Sequence, residues 1–164
     1  MNLKFRKGTI KDKDKLQELG ILSYSQHKHA MTPENWNKYN SFMSNPETFT
    51  YLMNTSTCFL CEYENEIIGM AFLVSNGHPT DMFEDKWSYI RMVGVHPDFG
   101  GNGIAKKLTQ MCIDFAKETN ESFVALHTSE FMNTARHIYE SFGFQVIREL
   151  TRYEKKYWIY LLKL

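Results

Sequence analysis

Hydrophobic and polar positions in the first part of the chain follow two different periods. Apolar side chains alternate with polar ones over residues 2–6, which predicts a first strand. Thr9, with Asp12 three residues later, then resembles a capping box. We therefore expect a helix to begin there and to continue to about Gln26.

A second helical region begins at the segment TPEN. Thr32 is a suitable N-cap and Pro33 suits the first turn, and the Asn-Pro pair at 45–46 should break the helix. The pattern then changes to two apolar strands within residues 56–76, joined by a tight Glu-Asn turn at 64–65. This part predicts an antiparallel hairpin.

The second half of the chain repeats a strand followed by an amphipathic helix. Strands are predicted over residues 87–95 and 122–128, each followed by apolar residues on one helical face, and two further strands close the sequence. No linker or internal repeat divides the 164 residues, so we expect one domain over 1–164. The order of elements predicts an α/β domain around one mixed sheet.

Charge and composition narrow the function classes. The chain has 19 basic and 19 acidic side chains, and 43% of its residues are hydrophobic. Neither disorder nor a surface for polyanions is indicated, so we expect no nucleic-acid partner. No apolar run approaches the length that spans a bilayer, and we expect no membrane partner.

Cysteine and histidine positions give no sign of a metal or redox centre. Cys58 and Cys61 lie in a strand-like stretch that points them to opposite faces, and a third cysteine leaves no even pairing. The residues His27 and His29 would face different directions on a helix, without a third ligand. We expect no metal, and the reduced cysteines point to the cytoplasm.

The segment VHPDFGGNGIAK, residues 95–106, carries three of the nine glycines of the chain. A glycine-rich turn between a strand and a helix collects unpaired amides beside the positive end of the helix dipole, which suits a phosphate. A Walker A loop and a dinucleotide fingerprint both fail on spacing, because no Gly-Lys-Ser/Thr follows and Lys106 stands where a glycine is needed. A tight strand-to-helix connection without a ligand is the alternative.

The run VGVHPDFGGNGIAKKL, followed by an amphipathic helix, a buried strand and NTARHIYESFGF, resembles the GNAT superfamily of acetyl-coenzyme-A-dependent N-acetyltransferases. The family motif Q/R-x-x-G-x-G/A overlies residues 100–105, with Gly103 and Ala105 matching and Gly100 in place of Gln or Arg. The resemblance extends over nearly the whole chain. It implies a fold of the α+β type with a mostly antiparallel sheet of about six to seven strands, splayed central strands and about four helices.

The resemblance also implies a cofactor site for acetyl-CoA. The residues placed there are Met92, Val93, Val95, Gly100, Gly101, Asn102, Gly103, Ile104, Ala105, Lys106, Asn133, Arg136 and Tyr139. In catalysis, Tyr139 takes the place of the family's general acid, and the amide of Val93 would polarise the thioester carbonyl. Tyr89 lies near the position of a general base but is too weak a base at neutral pH. Proton loss to water is our preferred interpretation, and packing in the core is the alternative for Tyr139.

Acceptor specificity should lie in the helical segment at about 20–52 and the loop at 77–86. The substrate candidates there are Tyr24, Trp36, Tyr39, Phe83 and Asp85. An aromatic and acidic lining would favour a cationic amine on a small molecule. Protein N-termini or lysines, and a sensor that binds the acyl cofactor without turnover, are the alternatives. The apolar last strand could pair in a homodimer or be buried within one chain.

Overall fold

Seven strands pair in one open sheet that draws on both ends of the chain. The computed structural model describes residues 1–164, with strands β1 (Lys4–Lys7), β2 (Ser56–Tyr63), β3 (Glu66–Val74), β4 (Ser88–Val95), β5 (Phe123–Ser129), β6 (Gln145–Arg152) and β7 (Lys155–Lys163). Their spatial order is β1-β2-β3-β4-β5-β7-β6. All neighbours are antiparallel except the parallel pair β4 and β5. The mixed, mostly antiparallel sheet confirms the predicted fold class.

Five α-helices flank the sheet, namely α1 (Lys13–Ser25), α2 (Pro33–Ser44), α3 (Pro46–Thr55), α4 (Ile104–Glu118) and α5 (Asn133–Ser141). The second helical region is two helices because Asn45 ends α2 and caps α3, where its Oδ1 accepts from the amide of Glu47 at 3.0 Å. None of the five helices is long and apolar enough to cross a membrane.

The predicted local signals form as expected. The carboxylate of Asp12 accepts from the amide of Thr9 at 2.8 Å, although the first turn is a 3₁₀ helix over Ile10–Asp12. The hydroxyl of Thr32 accepts from the amide of Asn35 at 3.2 Å. In the hairpin, Glu64 and Asn65 have φ of 49° and 66°. Positive φ at both central residues is the requirement of a type I′ turn.

The two faces of the sheet bury two separate hydrophobic cores. Strand alternation sends Cys61, Ala71 and Leu73 toward α4 and α5, and it sends neighbouring residues such as Cys58 and Phe72 toward α1, α2 and α3. The two cysteines of the CFLC stretch therefore lie on opposite faces, as predicted. All three cysteines are free and buried.

Strand β7 lies inside the sheet. It pairs with β5 along one side and with β6 along the other, so neither edge is free for a second copy of the chain. Burial within one chain accounts for the apolar residues of the final strand. A homodimer stays a prediction, but pairing through the final strand cannot form it.

Close packing between α4 and the sheet depends on Gly69 of β3. A Cβ at this position would lie 2.6 Å from Ile104 Cγ2 and 3.1 Å from Leu108 Cδ1. We expect Gly69→Ala to lower the free energy of unfolding by about 1–3 kcal/mol, because overpacking forces the helix away from the strand. Urea unfolding would measure the change.

The matched control is Gly100→Ala. The nearest atom to a Cβ there is the carbonyl oxygen of Pro97 at 3.7 Å, and φ is −59°. We expect its free energy of unfolding to stay within about 0.5 kcal/mol of the parent chain. Equal unfolding curves for the two variants would contradict the close-packing argument.

Candidate active site

A bulge in β4 opens the sheet at its centre. Phe72 of β3 pairs with Arg91 and Met70 pairs with Gly94, so two residues of β4 oppose one residue of β3. The two residues that oppose this one are Met92, which has φ of 56°, and Val93. A bulge bends its strand and increases the local twist.

Strands β4 and β5 separate immediately before this bulge. They pair only where Ser88 meets Val124 and Tyr89 meets Ala125. Beyond these pairs the strands diverge, which confirms the splayed central strands that the resemblance implied. The gap exposes main-chain groups of β4 that an ordinary sheet would cover.

The glycine loop, Gly100–Gly103, joins a 3₁₀ turn to the first residue of α4. Gly101 and Gly103 have φ of 78° and 75°, a region that other residues enter only at a cost. No backbone amide of residues 101–106 donates a hydrogen bond to the protein, and the first such bond joins Lys107 N to Gly103 O at 3.0 Å. These amides form a set of free donors at a helix N-terminus.

The space in front of the glycine loop is open. A Cβ added at Gly101 or Gly103 would meet no atom within 4 Å. The loop is held from its other side, where Asn102 Nδ2 donates to Phe99 O at 2.9 Å and to Gly100 O at 3.4 Å. An anion can therefore approach the amides without displacing any side chain.

A cavity of about 690 Å³ joins the glycine loop to the bulge. Most of the predicted cofactor residues line it, namely Met92, Val93, Val95, Gly100, Gly101, Gly103, Ile104, Ala105, Lys106, Asn133 and Tyr139. Asn102 and Arg136 do not. The guanidinium of Arg136 lies 4.0 Å from the centre of the Trp158 ring, and its Nε donates to Tyr160 Oη at 3.3 Å.

Tyr139 extends from α5 into the cavity. Its side chain is 6% exposed and lies beside the rings of Phe144 and Tyr160, with centroids 6.0 and 6.4 Å away. Tyr139 lines the cavity, and its hydroxyl makes no hydrogen bond to any protein group. Burial raises the pKa of Tyr139 above its ordinary value, so the phenol keeps its proton at neutral pH.

Four tyrosines form an aromatic wall on the opposite side of the bulge, Tyr24, Tyr39, Tyr153 and Tyr157. The hydroxyl of Tyr24 donates to Val93 O at 3.0 Å, and its ring lies 6.0 Å from that of Tyr39. Tyr39 in turn contacts Tyr153 edge to face at 5.6 Å. Two of the predicted substrate residues, Tyr24 and Tyr39, are thus part of the cavity.

The structure does not bring the other predicted residues to the cavity. The rings of Tyr89 and Phe83 stack at 4.4 Å in a separate buried cluster, and Tyr89 Oη donates to His78 O at 2.9 Å. Asp85 is exposed on the loop before β4, and Trp36 does not line the cavity, although its ring lies 5.9 Å from that of Tyr39. Of the acidic residues expected to line the site from this loop, only Asp81 borders the cavity, and it is exposed to solvent.

Arg91, His127 and Arg152 are among the cavity residues that sequence reasoning missed. Arg91 is the only charged residue in the run SYIRMVGV, and a single charge in a buried strand marks a candidate functional residue. Arg152 comes from an exposed strand, where a charged residue is ordinary. Burial, together with the two arginines, lowers the pKa of His127 to about 3. The imidazole is therefore neutral and a weak base.

Comparison with known proteins places this geometry in a family. Residues 21–144 match the acetyltransferase (GNAT) family. N-acetylaspartate synthetase of Danio rerio is 31% identical over 104 residues, which are 63% of this chain and 35% of that protein. N-acetyltransferase 8B of Homo sapiens is 30% identical over 60% of this chain and 43% of its own length. N-alpha-acetyltransferase 30 of Schizosaccharomyces pombe is 35% identical over 40% of this chain and 43% of its own length. The chain spans less than half of each of these relatives.

Solved structures agree on the fold. PaiA N-acetyltransferase from Thermoplasma acidophilum, in complex with coenzyme A, has a TM-score of 0.80 over 100% of both chains at 16% identity. The ribosomal-protein-S18-alanine N-acetyltransferase from Escherichia coli has a TM-score of 0.76 over 99% of this chain and 94% of its own, at 14% identity. The family match covers most of the sequence, and the chain therefore belongs to the acetyltransferase (GNAT) family of enzymes.

Proposed function

We propose that this protein is an N-acetyltransferase that moves an acetyl group from acetyl-CoA to a primary amine on a small molecule. The amine attacks directly in a ternary complex. The observation that carries the proposal is the run of free amides over residues 101–106, which opens on the same cavity as the hydroxyl of Tyr139.

The residues of the glycine loop fit a pyrophosphate. Free amides and the positive end of the α4 dipole attract the anion, and the open space at Gly101 and Gly103 admits it. Lys106 and Lys107 occupy the first turn of α4, where a cation opposes the helix dipole. A bound anion reverses that penalty. Gly100 contributes no side chain, so the main chain must supply most of the binding.

Strand β4 would orient the reacting end of the cofactor. When bound, acetyl-CoA supplies a thioester whose carbonyl carbon accepts the amine nitrogen. Val93 has no partner on β3, and its carbonyl is already held by Tyr24 at 3.0 Å. The Tyr24 bond fixes the peptide group between Val93 and Gly94. The amide N–H of Val93, in the preceding peptide group, is our candidate to stabilise negative charge on the carbonyl oxygen.

Tyr139 is our candidate for the general acid. Its Oη holds a proton at neutral pH because burial raises its pKa, and no protein acceptor competes for that proton. Burial raises the pKa of an alkyl thiol as it raises that of a phenol, so within the cavity Tyr139 can donate its proton to the departing thiolate. Tyr139 would therefore stay protonated until negative charge develops on the departing sulfur.

Asp81 supplies the only carboxylate of the cavity lining, and its three histidines are His27, whose pKa burial lowers, His96 before the glycine loop, and His127. His127 is neutral with a pKa of about 3, and Asp81, the acidic residue of the lining, is exposed to solvent. Tyr89 is enclosed in its own cluster. We propose that the acceptor amine loses its proton to water before it attacks, so turnover should rise with pH until the acceptor is neutral.

A second candidate is acetylation of protein N-termini. The match to N-alpha-acetyltransferase 30, at 35% identity over 65 residues, favours it. The match to N-acetylaspartate synthetase is longer, at 104 residues, and the product in that protein's name favours a small amine. Free thiol released from acetyl-CoA with a panel of small amines and of short peptides would separate the two candidates.

Replacing Tyr139 by Phe tests the general acid. The variant removes the proton donor and keeps the ring, so we expect turnover to fall by roughly 10²-fold with little change in the affinity for coenzyme A. Thiol release would give the rate, and calorimetry would give the affinity.

The control is Tyr51→Phe, because Tyr51 is 53% exposed and lies outside the cavity. It should leave both quantities unchanged. A Tyr139→Phe enzyme with the parent rate at every pH would remove Tyr139 from the mechanism.

Replacing Gly103 by Ala tests the pyrophosphate site. Residue 103 has φ of 75°, so alanine should strain the loop and place a methyl group in the open space before the amides. We expect the dissociation constant of coenzyme A to rise roughly tenfold. Gly77→Ala is matched to it, since Gly77 has φ of 91°, open space around it and no place in the cavity. Equal coenzyme A affinity in the two variants would argue against the site.

A further inference from the structure

Two arginines in the cavity have no carboxylate partner. Arg91 of β4 and Arg152 of β6 both line it, and both are half-buried. The ion pairs of the structure use other cations, namely Arg6, Lys13, Lys38, His96 and Lys156. An arginine withdrawn from water without a counter-ion is costly, so natural proteins seldom keep two together without a purpose.

Aromatic rings surround both guanidinium groups. Arg91 Cζ lies 5.9 Å from the ring centre of Phe42, and Arg152 Cζ lies 5.8 and 6.0 Å from those of Tyr153 and Tyr157. Burial lowers the pKa of Arg91, and the neighbouring charge of Arg152 adds to this effect. Aromatic faces hold a cation in place without neutralising it. Both positive charges therefore remain available to a ligand.

The position of Arg91 separates it from the cofactor end of the site. It precedes the bulge at Met92, whereas the glycine loop follows Val95, so the two lie on the order of 10 Å apart along β4. Lys106 lies at the glycine-loop end, next to the free amides. The two arginines thus lie beyond Val93, with the aromatic wall, on the side from which an acceptor would reach the reacting carbon.

We propose that Arg91 and Arg152 bind a carboxylate of the acceptor, which makes the substrate an anionic, amino-acid-like amine. This inference rests on the acetyltransfer proposed above and names its substrate class. It reverses the cationic amine expected from the sequence, because the cavity lining holds two arginines without an ion pair and a single carboxylate, that of the exposed Asp81.

The chemistry of the pair supports this choice. A planar guanidinium donates two parallel hydrogen bonds to a carboxylate, and the charges attract strongly where water is partly excluded. The two arginines would repel a cationic diamine, and this repulsion excludes a diamine more effectively than a poor steric fit would. An acceptor with two carboxylates could engage both arginines at once.

The test compares acceptors that differ in charge. Thiol release from acetyl-CoA is measured with L-aspartate, glycine, glycinamide and putrescine, and calorimetry measures L-aspartate binding to the protein with coenzyme A present. We expect kcat/KM to be at least roughly tenfold higher for L-aspartate than for putrescine, and its binding to weaken in high salt.

Substitution of each arginine then tests whether it binds the carboxylate of the acceptor. Arg91→Met and Arg152→Met should each raise KM for L-aspartate roughly tenfold or more, with coenzyme A affinity unchanged. Arg152→Glu should shift the preference toward putrescine. Lys117→Met is the control, because Lys117 is exposed on α4 without an ion pair. Where a methionine variant fails to fold, the lysine variant keeps the charge and should restore part of the L-aspartate affinity.

Two failures are distinguishable. The anionic acceptor would be overturned, with acetyltransfer intact, if glycinamide and putrescine reacted faster than the carboxylates. The same conclusion would follow if the methionine variants had the KM of the parent protein for L-aspartate. Absence of thiol release with every amine and peptide, despite coenzyme A binding, would overturn the acetyltransfer itself.

Discussion

The inserted residue in β4 is the constraint on which the site depends. Both Met92 and Val93 of β4 lie opposite one residue of β3, and Met92 has a positive φ, which lies outside the β region. The distortion turns β4 away from β5 after only two paired positions. Hydrogen bonding along that edge is lost, and the large cores on both faces of the sheet must outweigh the loss. The result is a gap with exposed main-chain groups at the centre of the protein.

The distribution of charge in the protein also defines the site. The whole chain carries no formal net charge, and its five ion pairs of arginine or lysine with a carboxylate lie outside the cavity. Positive potential is instead concentrated at two places, the amides at the start of α4 and the two arginines beyond the bulge. Under the proposed function, these two places receive the two anionic ends of the reactants, while the reacting atoms meet between them beside neutral groups, Tyr139 and His127.

Sequence reasoning succeeded where a local rule decides the structure. The capping box at Thr9, the N-cap at Thr32, the Asn-Pro break and the turn at Glu64 each depend on a few adjacent residues, and each formed as predicted. The glycine loop was found in the same way, since positive φ and close approach of a ligand both require glycine. Trp36, Phe83 and Asp85 do not line the cavity, because distant strands that cover a helix or loop from the other side decide which of its side chains face a cavity.

The sequence by itself determined the order of strands and helices, the family resemblance and the set of amides offered to an anion, because backbone donors at a glycine-rich helix start depend on local conformation. The tertiary structure alone decided what else enters the cavity. Arg91 and Arg152 are distant in sequence and lie on strands that are not neighbours in the sheet, yet their charges meet in one cavity. Electrostatic interaction acts through space and not along the chain. The positive charge of the acceptor site therefore becomes evident only in the folded sheet, which brings the two arginines together.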